Sequence, residues 1–174
     1  VKVVAPASPA DAKGLLTAAV RDPEPVCVLH HASFAGSVGV VPEGAHLVEI
    51  GRARLSREGD RVTVVAHGAA VPLAERAAKE IDLDADVLDL RTLQPLDHAA
   101  VLTSVRKTGK LVIAEPSAAA APVTAALVAA IWEGAFEHLD GPPRRVTVGE
   151  RPEADDTTAD VEAIMEACLE LVAY

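Results

Sequence analysis

Aromatic residues are scarce in this chain: one Trp, one Tyr and two Phe among 174 residues. Any core must be filled by Val, Leu, Ala and Ile, whose thin side chains let helices pack close to a sheet. Cysteine is nearly absent too. Cys27 and Cys168 alone give neither a disulfide framework nor zinc-ligand spacing. Each lies in an apolar run and reads as a small buried hydrophobe. There is no excess of basic residues either, since 16 Lys and Arg against 26 Asp and Glu leave a formal net charge of -10. Without a cationic stripe to neutralise phosphates, nucleic acid is excluded as a partner. No run of 18 uncharged apolar residues and no signal-peptide pattern occurs, so a soluble cytoplasmic protein with no membrane partner is expected. The sequence has no GxGxxG after a strand, no GxxxxGK followed by Ser or Thr, no GxSxG and no HExxH. It starts without methionine, which reads as a processed, tagged or excised beginning.

What is present is alternation. Val1 to Ala5 reads as an apolar strand. Ser8 or Asp11 caps a helix reaching Val20, and PVCVL (Pro25 to Leu29) is a second strand. A sheet of two strands is marginal alone, so this strand–helix–strand unit needs cover from the rest of the chain or from another. His30 to Arg57 shows no clear period and is punctuated by Gly36, Gly39, Pro42, Gly44 and Gly51, which marks a boundary. From Arg61 onward strands are expected at Val62 to Gly68, Ala85 to Leu90, Lys110 to Pro116 and Arg144 to Glu150. Helices are expected at Val71 to Ile81, at His98 to Lys107 (capped by Asp97 and stopped by Gly109), at Pro122 to Leu139, and from Thr158 or Asp160 to Ala173. Strands alternating with helices of this length give an α/β fold, a mainly parallel sheet covered on both faces in three layers.

Few residues suggest chemistry. His30 and His31 end a strand, but neighbours in a strand point to opposite faces, so one solvated and one packed histidine is the plainer reading. His67 and Gly68 precede a helix N-terminus that could hold an anion, although Pro72 removes one donor. His98 and His138 read as surface residues. Glu115 ends a strand and reads as solvated or capping, without a carboxylate partner for acid–base work. Arg91 and Gln94 follow a buried strand where the chain leaves the core. Trp132 and Phe136 read as core of a helix packed on a sheet, though Trp also favours interfaces. No self-contained active site emerges.

Four stretches are more specific: VKVVAPASPADAKGLLTAAVRDPEPVCVLHH, HLVEIGRARLSREGDRVTVVAHGAAV, ADVLDLRTLQPLDHAAVLTSVRKTGKLVIAEP and GPPRRVTVGERP. Together they resemble the C-terminal part of the beta subunit of thiamine diphosphate-dependent 2-oxo-acid dehydrogenases of the pyruvate and branched-chain type, relatives of transketolase. The resemblance implies a transketolase-type C-terminal domain at residues 61–174 and a crossing segment at 35–60. It makes residues 1–34 the final strand–helix–strand of a pyrimidine-binding domain completed by a partner chain. It implies thiamine diphosphate with a divalent metal, Mg, bound mainly by partner chains. No residue of this chain is expected to be catalytic, cofactor-binding or metal-binding. An obligate partner carrying the diphosphate-binding and remaining pyrimidine-binding domains follows, with a lipoyl or acyl carrier domain as a further partner.

Three stretches depart from the family pattern. His30-His31 stands where Glu-His is usual. SAAAAP (Ser117 to Pro122) replaces a glycine-rich, aromatic segment, and EADDTT (Glu153 to Thr158) replaces a Pro- and Tyr-rich loop. These point away from a housekeeping dehydrogenase and toward a split, specialised relative. Such an enzyme would pass a two-carbon acyl or ketol unit to a lipoyl or carrier-protein thiol, with natural-product biosynthesis as one setting. Partner contacts are expected at His31, Phe34, Arg91, Gln94 and Trp132. The alternative is a non-catalytic docking module that recruits a lipoyl or carrier domain.

Overall fold

Strand β1 (Lys2–Val4) gives way to helix α1 (Pro9–Arg21) because Ser8 accepts the Asp11 amide through its side chain and Pro9 sits in the first turn, where a missing N–H costs nothing. The computed structural model describes residues 1–116, 122–148 and 158–174. The expectations placed on residues 117–121, 149–150 and 153–157 lie outside these. After β2 (Val26–Val28) and a short 3-10 turn at Ala32–Phe34 come β3 (Arg54–Arg57), β4 (Val62–Ala66), α2 (Ala70–Glu80) and β5 (Ala85–Asp89). The chain continues through β6 (Thr92–Gln94), α3 (His98–Thr108), β7 (Leu111–Glu115), α4 (Pro122–Gly134), β8 (Arg144–Thr147) and α5 (Thr158–Val172).

Two sheets result. The larger has the order β3-β5-β4-β7-β8, with β5, β4, β7 and β8 parallel and β3 antiparallel on its edge. Alternate side chains of each strand point to opposite faces. On one face Val62, Val64, Val87, Val112 and Val146 pack with Ala74 and Ala77 of α2 and with Ile164 and Leu171 of α5. On the other, Val65, Leu88, Leu111 and Ile113 meet Val101 and Val105 of α3 and Leu127 and Ile131 of α4. Ala70, Ala74, Ala77 and Ala78 of α2 are all buried, which shows how close packing replaces aromatic bulk. Asp97 caps α3 by accepting the Ala100 amide at 3.1 Å, and Gly109 ends that helix in the left-handed region at φ +69°. The three-layer α/β architecture expected from the alternation is present.

The smaller sheet, β2-β1-β6, departs from the expectation. Its third strand comes from the segment after β5 and runs antiparallel to β1, with Val4 opposite Thr92. The unit thus gains a strand from its own chain. The segment read as a featureless crossing contains β3, a pairing that RLSR does not advertise because it has no apolar alternation. Cys27 is exposed rather than buried, since only one face of this sheet is covered. Trp132 and Phe136 are 66% and 52% exposed rather than core; α4 is apolar on both sides, and the face carrying Leu127 and Ile131 is the one that meets the sheet. α4 also ends at Gly134, earlier than Leu139, and a separate 3-10 turn follows at Phe136–His138.

Candidate functional site

In an open parallel sheet ligands gather at the carboxyl ends of strands, where the strand order reverses. Here the order reverses between β4 and β7; His67 directly follows β4, and Glu115 ends β7. Both lie on the face that carries α4. Glu115 is fully buried; its Oε1 accepts from Thr124 Oγ1 and from Arg145 Nε at 2.5 Å, and Oε2 has no partner. Glu115 is therefore neither solvated nor a cap, and its counter-charge arrives from β8. His67 is 8% exposed, with Nε2 unpartnered. Burial holds its imidazole below the ordinary value, and the nearby Glu115 charge opposes that shift. Among the described residues this pair has beside it neither the nucleophile nor the second free carboxylate that hydrolytic or transfer chemistry needs.

A second group of charges sits where the two sheets meet. Asp11 and Asp89 are 1% and 0% exposed. Arg91 reaches Asp11 at 2.6 Å, and Arg54 reaches Asp89 at 3.2 Å and Asp11 at 3.4 Å. Arg91 adopts φ +54°, unusual for a side chain of its size, and its amide donates to Asp89 Oδ1 at 3.0 Å. Loss of solvent pushes the Asp89 carboxyl up to about 6; the Arg91 amide and the Arg54 charge pull the other way. The sequence pattern singles out Arg91 but passes over Arg54 and Asp89. A carboxylate inside an otherwise apolar strand is the available signal, because such a group demands a partner.

The remaining expected contacts fall elsewhere. His31 caps the short turn after β2, its Nδ1 2.7 Å from Ser33 Oγ, and its ring lies 6.3 Å from that of half-buried Phe34. Gln94 is exposed on β6, opposite Val3. Trp132 stacks at a tilt on Phe136 with centroids 4.4 Å apart. These two rings line a groove of about 660 Å³ with Val128, Leu139 and Pro143, and Glu137 and Asp140 stand at its margin. The structure therefore joins His31 to Phe34, Arg91 to Asp11, and Trp132 to Phe136. It does not gather the five into one site.

A third polar cluster is structural: Asp86, in a cleft between β3 and α3, takes bonds from the Gly59 amide, Ser104 Oγ and Lys107 Nζ at 2.6–2.9 Å, which tie three segments of the chain together. Among the described residues no group of three or more His, Cys, Asp and Glu could hold a metal ion. No described helix is long and apolar enough to cross a membrane.

Residues 51–165 match the family described as transketolase, C-terminal domain. Over 153 residues the chain is 38% identical to the pyruvate dehydrogenase E1 component subunit beta of Staphylococcus aureus (strain Mu50 / ATCC 700699), covering 86% of this chain and 47% of that one. The subunit of the same description from Bacillus subtilis (strain 168) is 39% identical over 150 residues, with 84% and 46% covered. The chain thus spans about half the length of these relatives. Among solved structures, a split gene transketolase described as an inactive beta4 tetramer superposes with a TM-score of 0.77 at 22% identity, covering 99% of this chain and 57% of that one. That likeness concerns the fold.

Proposed function

This chain belongs to the transketolase C-terminal domain family, and on that premise we propose that it is one subunit of a thiamine diphosphate-dependent enzyme of the transketolase and 2-oxo-acid dehydrogenase type. The observation that carries the reading is the first unit. A strand–helix–strand that belongs to no self-sufficient sheet is held to the family domain by β6 and by the Asp11–Arg91 ion pair. Several of the large apolar side chains left exposed among the described residues lie on it or just after it: Val1, Leu16, Val20, Leu29, Val38 and Val40 among them. A partner chain that supplies the rest of that sheet would cover them. A pure docking module has no need for such a unit.

The described residues do not fit the cofactor's divalent cation, because they offer no cluster of three or more His, Cys, Asp and Glu. We therefore place thiamine diphosphate and Mg on the partner chains and route no chemical step through this one. When bound there, the cofactor would supply the electron sink for transfer of a two-carbon acyl or ketol unit. This chain would complete the pyrimidine-binding sheet with residues 1–34, hold it against the domain at 61–174, and do so in the cytoplasm. The receiving thiol would be on a lipoyl or carrier domain, with a natural-product pathway as one setting. The apolar groove beside Trp132, acidic at its margin, supports a contact with that domain. His31, Phe34 and Gln94 are left for the cofactor-bearing partner, and Arg91 acts inside the chain.

The test is to purify a tagged copy from the native host, identify what elutes with it and assay thiamine diphosphate in the eluate. A stoichiometric partner with the diphosphate-binding domain and bound cofactor is the expected result. A monomer that elutes alone and brings no cofactor would remove the reading and favour a docking module.

A further inference from the structure

The first unit and the large domain do not share an apolar core. Val4, Leu15 and Val48 form the core of the smaller sheet, with Val26 and Val28 packed against it, and the two cores of the larger sheet are separate from it. Among the described residues of the first unit, only Ala7 packs against either of those two. The β1–β6 ladder is one connection, with Val3 opposite Gln94 and Val4 opposite Thr92. A ladder this short, shifted in register between its two pairs, allows a range of twist. Something else has to set the angle.

Arg91 stands at that crossing, after buried Leu90 and before β6. Its amide donates to Asp89 Oδ1 at 3.0 Å, its carbonyl accepts from the Ala5 amide at 2.8 Å, and its guanidinium reaches Asp11 at 2.6 Å. Asp89 belongs to the large domain, whereas Ala5 and Asp11 belong to the first unit. One residue thus bonds both. It does so in the left-handed backbone region, at φ +54°, a conformation that persists for a residue with a Cβ only where the surroundings impose it. On α1, the Ser8 hydroxyl donates to Asp11 Oδ2 at 2.6 Å and holds that carboxyl in place. Arg54 of β3 closes the cluster, 3.4 Å from Asp11 and 3.2 Å from Asp89.

We propose that Arg91 is a positioning residue: it fixes the angle between the first sheet and the larger one, and the buried carboxyls around it make that angle respond to pH. The joint lies within this chain and does not depend on the cofactor. The charged groups that face Asp89 are Arg54 from β3, Asp11 from α1 and Arg91 from the turn after β5. α2, which packs on β5, opens with five uncharged residues and carries its own charges from Glu75 onward. β4 sets Ala66 beside Asp89, and the next residue, His67, points to the other face. Burial pushes the Asp89 carboxyl up to about 6. An opened joint would let that carboxyl meet water, where it ionises more readily. Protonation therefore favours the closed joint, and ionisation as pH rises through about 6 loosens it.

Spin labels on Cys27 and on Lys79→Cys, read by pulsed dipolar spectroscopy on the full chain, report the angle as a distance between the first sheet and α2. Both positions are exposed, whereas Cys168 is buried with its thiol pushed up to about 12, so it takes no label while the large domain stays folded. At about pH 5 the parent should give one narrow distribution, and at about pH 7.5 one about twofold wider. Arg91→Met should be wide at both, with Arg91→Lys between it and the parent, because an ammonium lacks the planar fork. Asp11→Asn weakens the same pair from the α1 side and should widen the distribution as well. Asp89→Asn has nothing to ionise and should stay narrow throughout. Distributions that Arg91→Met and Asp11→Asn leave as narrow as the parent's would overturn the joint, the β1–β6 ladder then setting the angle by itself. Labelling of Cys168 in Arg91→Met would overturn it too, because Arg91 would then belong to the fold of the large domain. A parent width that ignores pH, or one that Asp89→Asn reproduces at each pH, would overturn the pH response.

Discussion

Asp89 holds a carboxyl in a place with no solvent, and replacing it with Asn should make the protein less dependent on pH. The folded carboxyl sits at about 6 against an ordinary 3.8. A rise of that size corresponds to about 3 kcal/mol between the two protonation states. Because the folded value is raised, the folded state binds the proton more tightly than the unfolded chain does. The stabilising contribution is complete below pH 3.8 and is lost as pH rises through about 6. At pH 7.5 ionised Asp89 therefore costs the fold up to about 3 kcal/mol, even with Arg54 at 3.2 Å. Asn keeps an oxygen for the Arg91 amide and leaves Arg54 with Asp11 at 3.4 Å.

Asp89→Asn should accordingly match or exceed the parent by up to about 3 kcal/mol at pH 7.5, and the difference should shrink to about 1 kcal/mol at pH 4.5. Urea unfolding at pH 4.5, 6.0 and 7.5 (about a unit and a half apart, spanning the transition) measures this. The variant must be measured against the parent at each pH, because His67 slopes the other way. Its folded value is depressed, so its contribution is present above 6.5 and is lost as pH falls through the folded value. Subtraction cancels that slope. A variant that loses more than about 1 kcal/mol at pH 7.5 and keeps the parent's pH profile would refute the reasoning, since the Arg54 pair would then outweigh desolvation.

Two further outcomes follow from single contacts. Arg145→Met leaves the fully buried Glu115 carboxylate without its cation and should cost about 3–5 kcal/mol in urea unfolding, whereas Arg145→Met with Glu115→Gln should recover much of that. Gly109→Ala places a methyl at φ +69° and against the Asp140 carboxylate, and should lower stability by about 2 kcal/mol or more, against the usual gain from replacing glycine at an unstrained position.

The larger sheet was legible because each of its parallel strands announces itself. VTVVA, ADVLD and LVIAE are buried at every position, and the helices between them carry Asp97 and Gly109 as explicit start and stop signals. β3 and β6 were not legible. RLSR and TLQ are short and polar, and they become strands only by pairing with β5 and β1, partners fixed by tertiary structure. The same limit explains Trp132. In α4 the apolar residues surround the axis, so periodicity identifies a helix but cannot say which side meets the sheet. Of the candidate site, His67, Glu115 and Arg91 could be picked out singly as polar groups at strand ends. Arg145, the partner of Glu115, and Asp11, the partner of Arg91, lie 30 or more residues away in sequence, and nothing local relates them.

These misses share a cause that bears on function. The positions where pattern reading fails are those that join one unit to another: β6 and Arg91 to the first sheet, β3 and Arg54 to the junction, α4 to whatever covers Trp132. Within the large domain each local choice agrees with the fold, as a self-sufficient structure requires. At the junction, two buried carboxylates and two arginines replace an apolar contact. Such a cluster costs desolvation and returns orientation, because ion pairs with defined geometry fix an angle that a greasy contact leaves loose. A domain whose only task were to fold would gain by filling that space with leucine. A domain that must hold its first sheet at one angle has a reason to keep the charges.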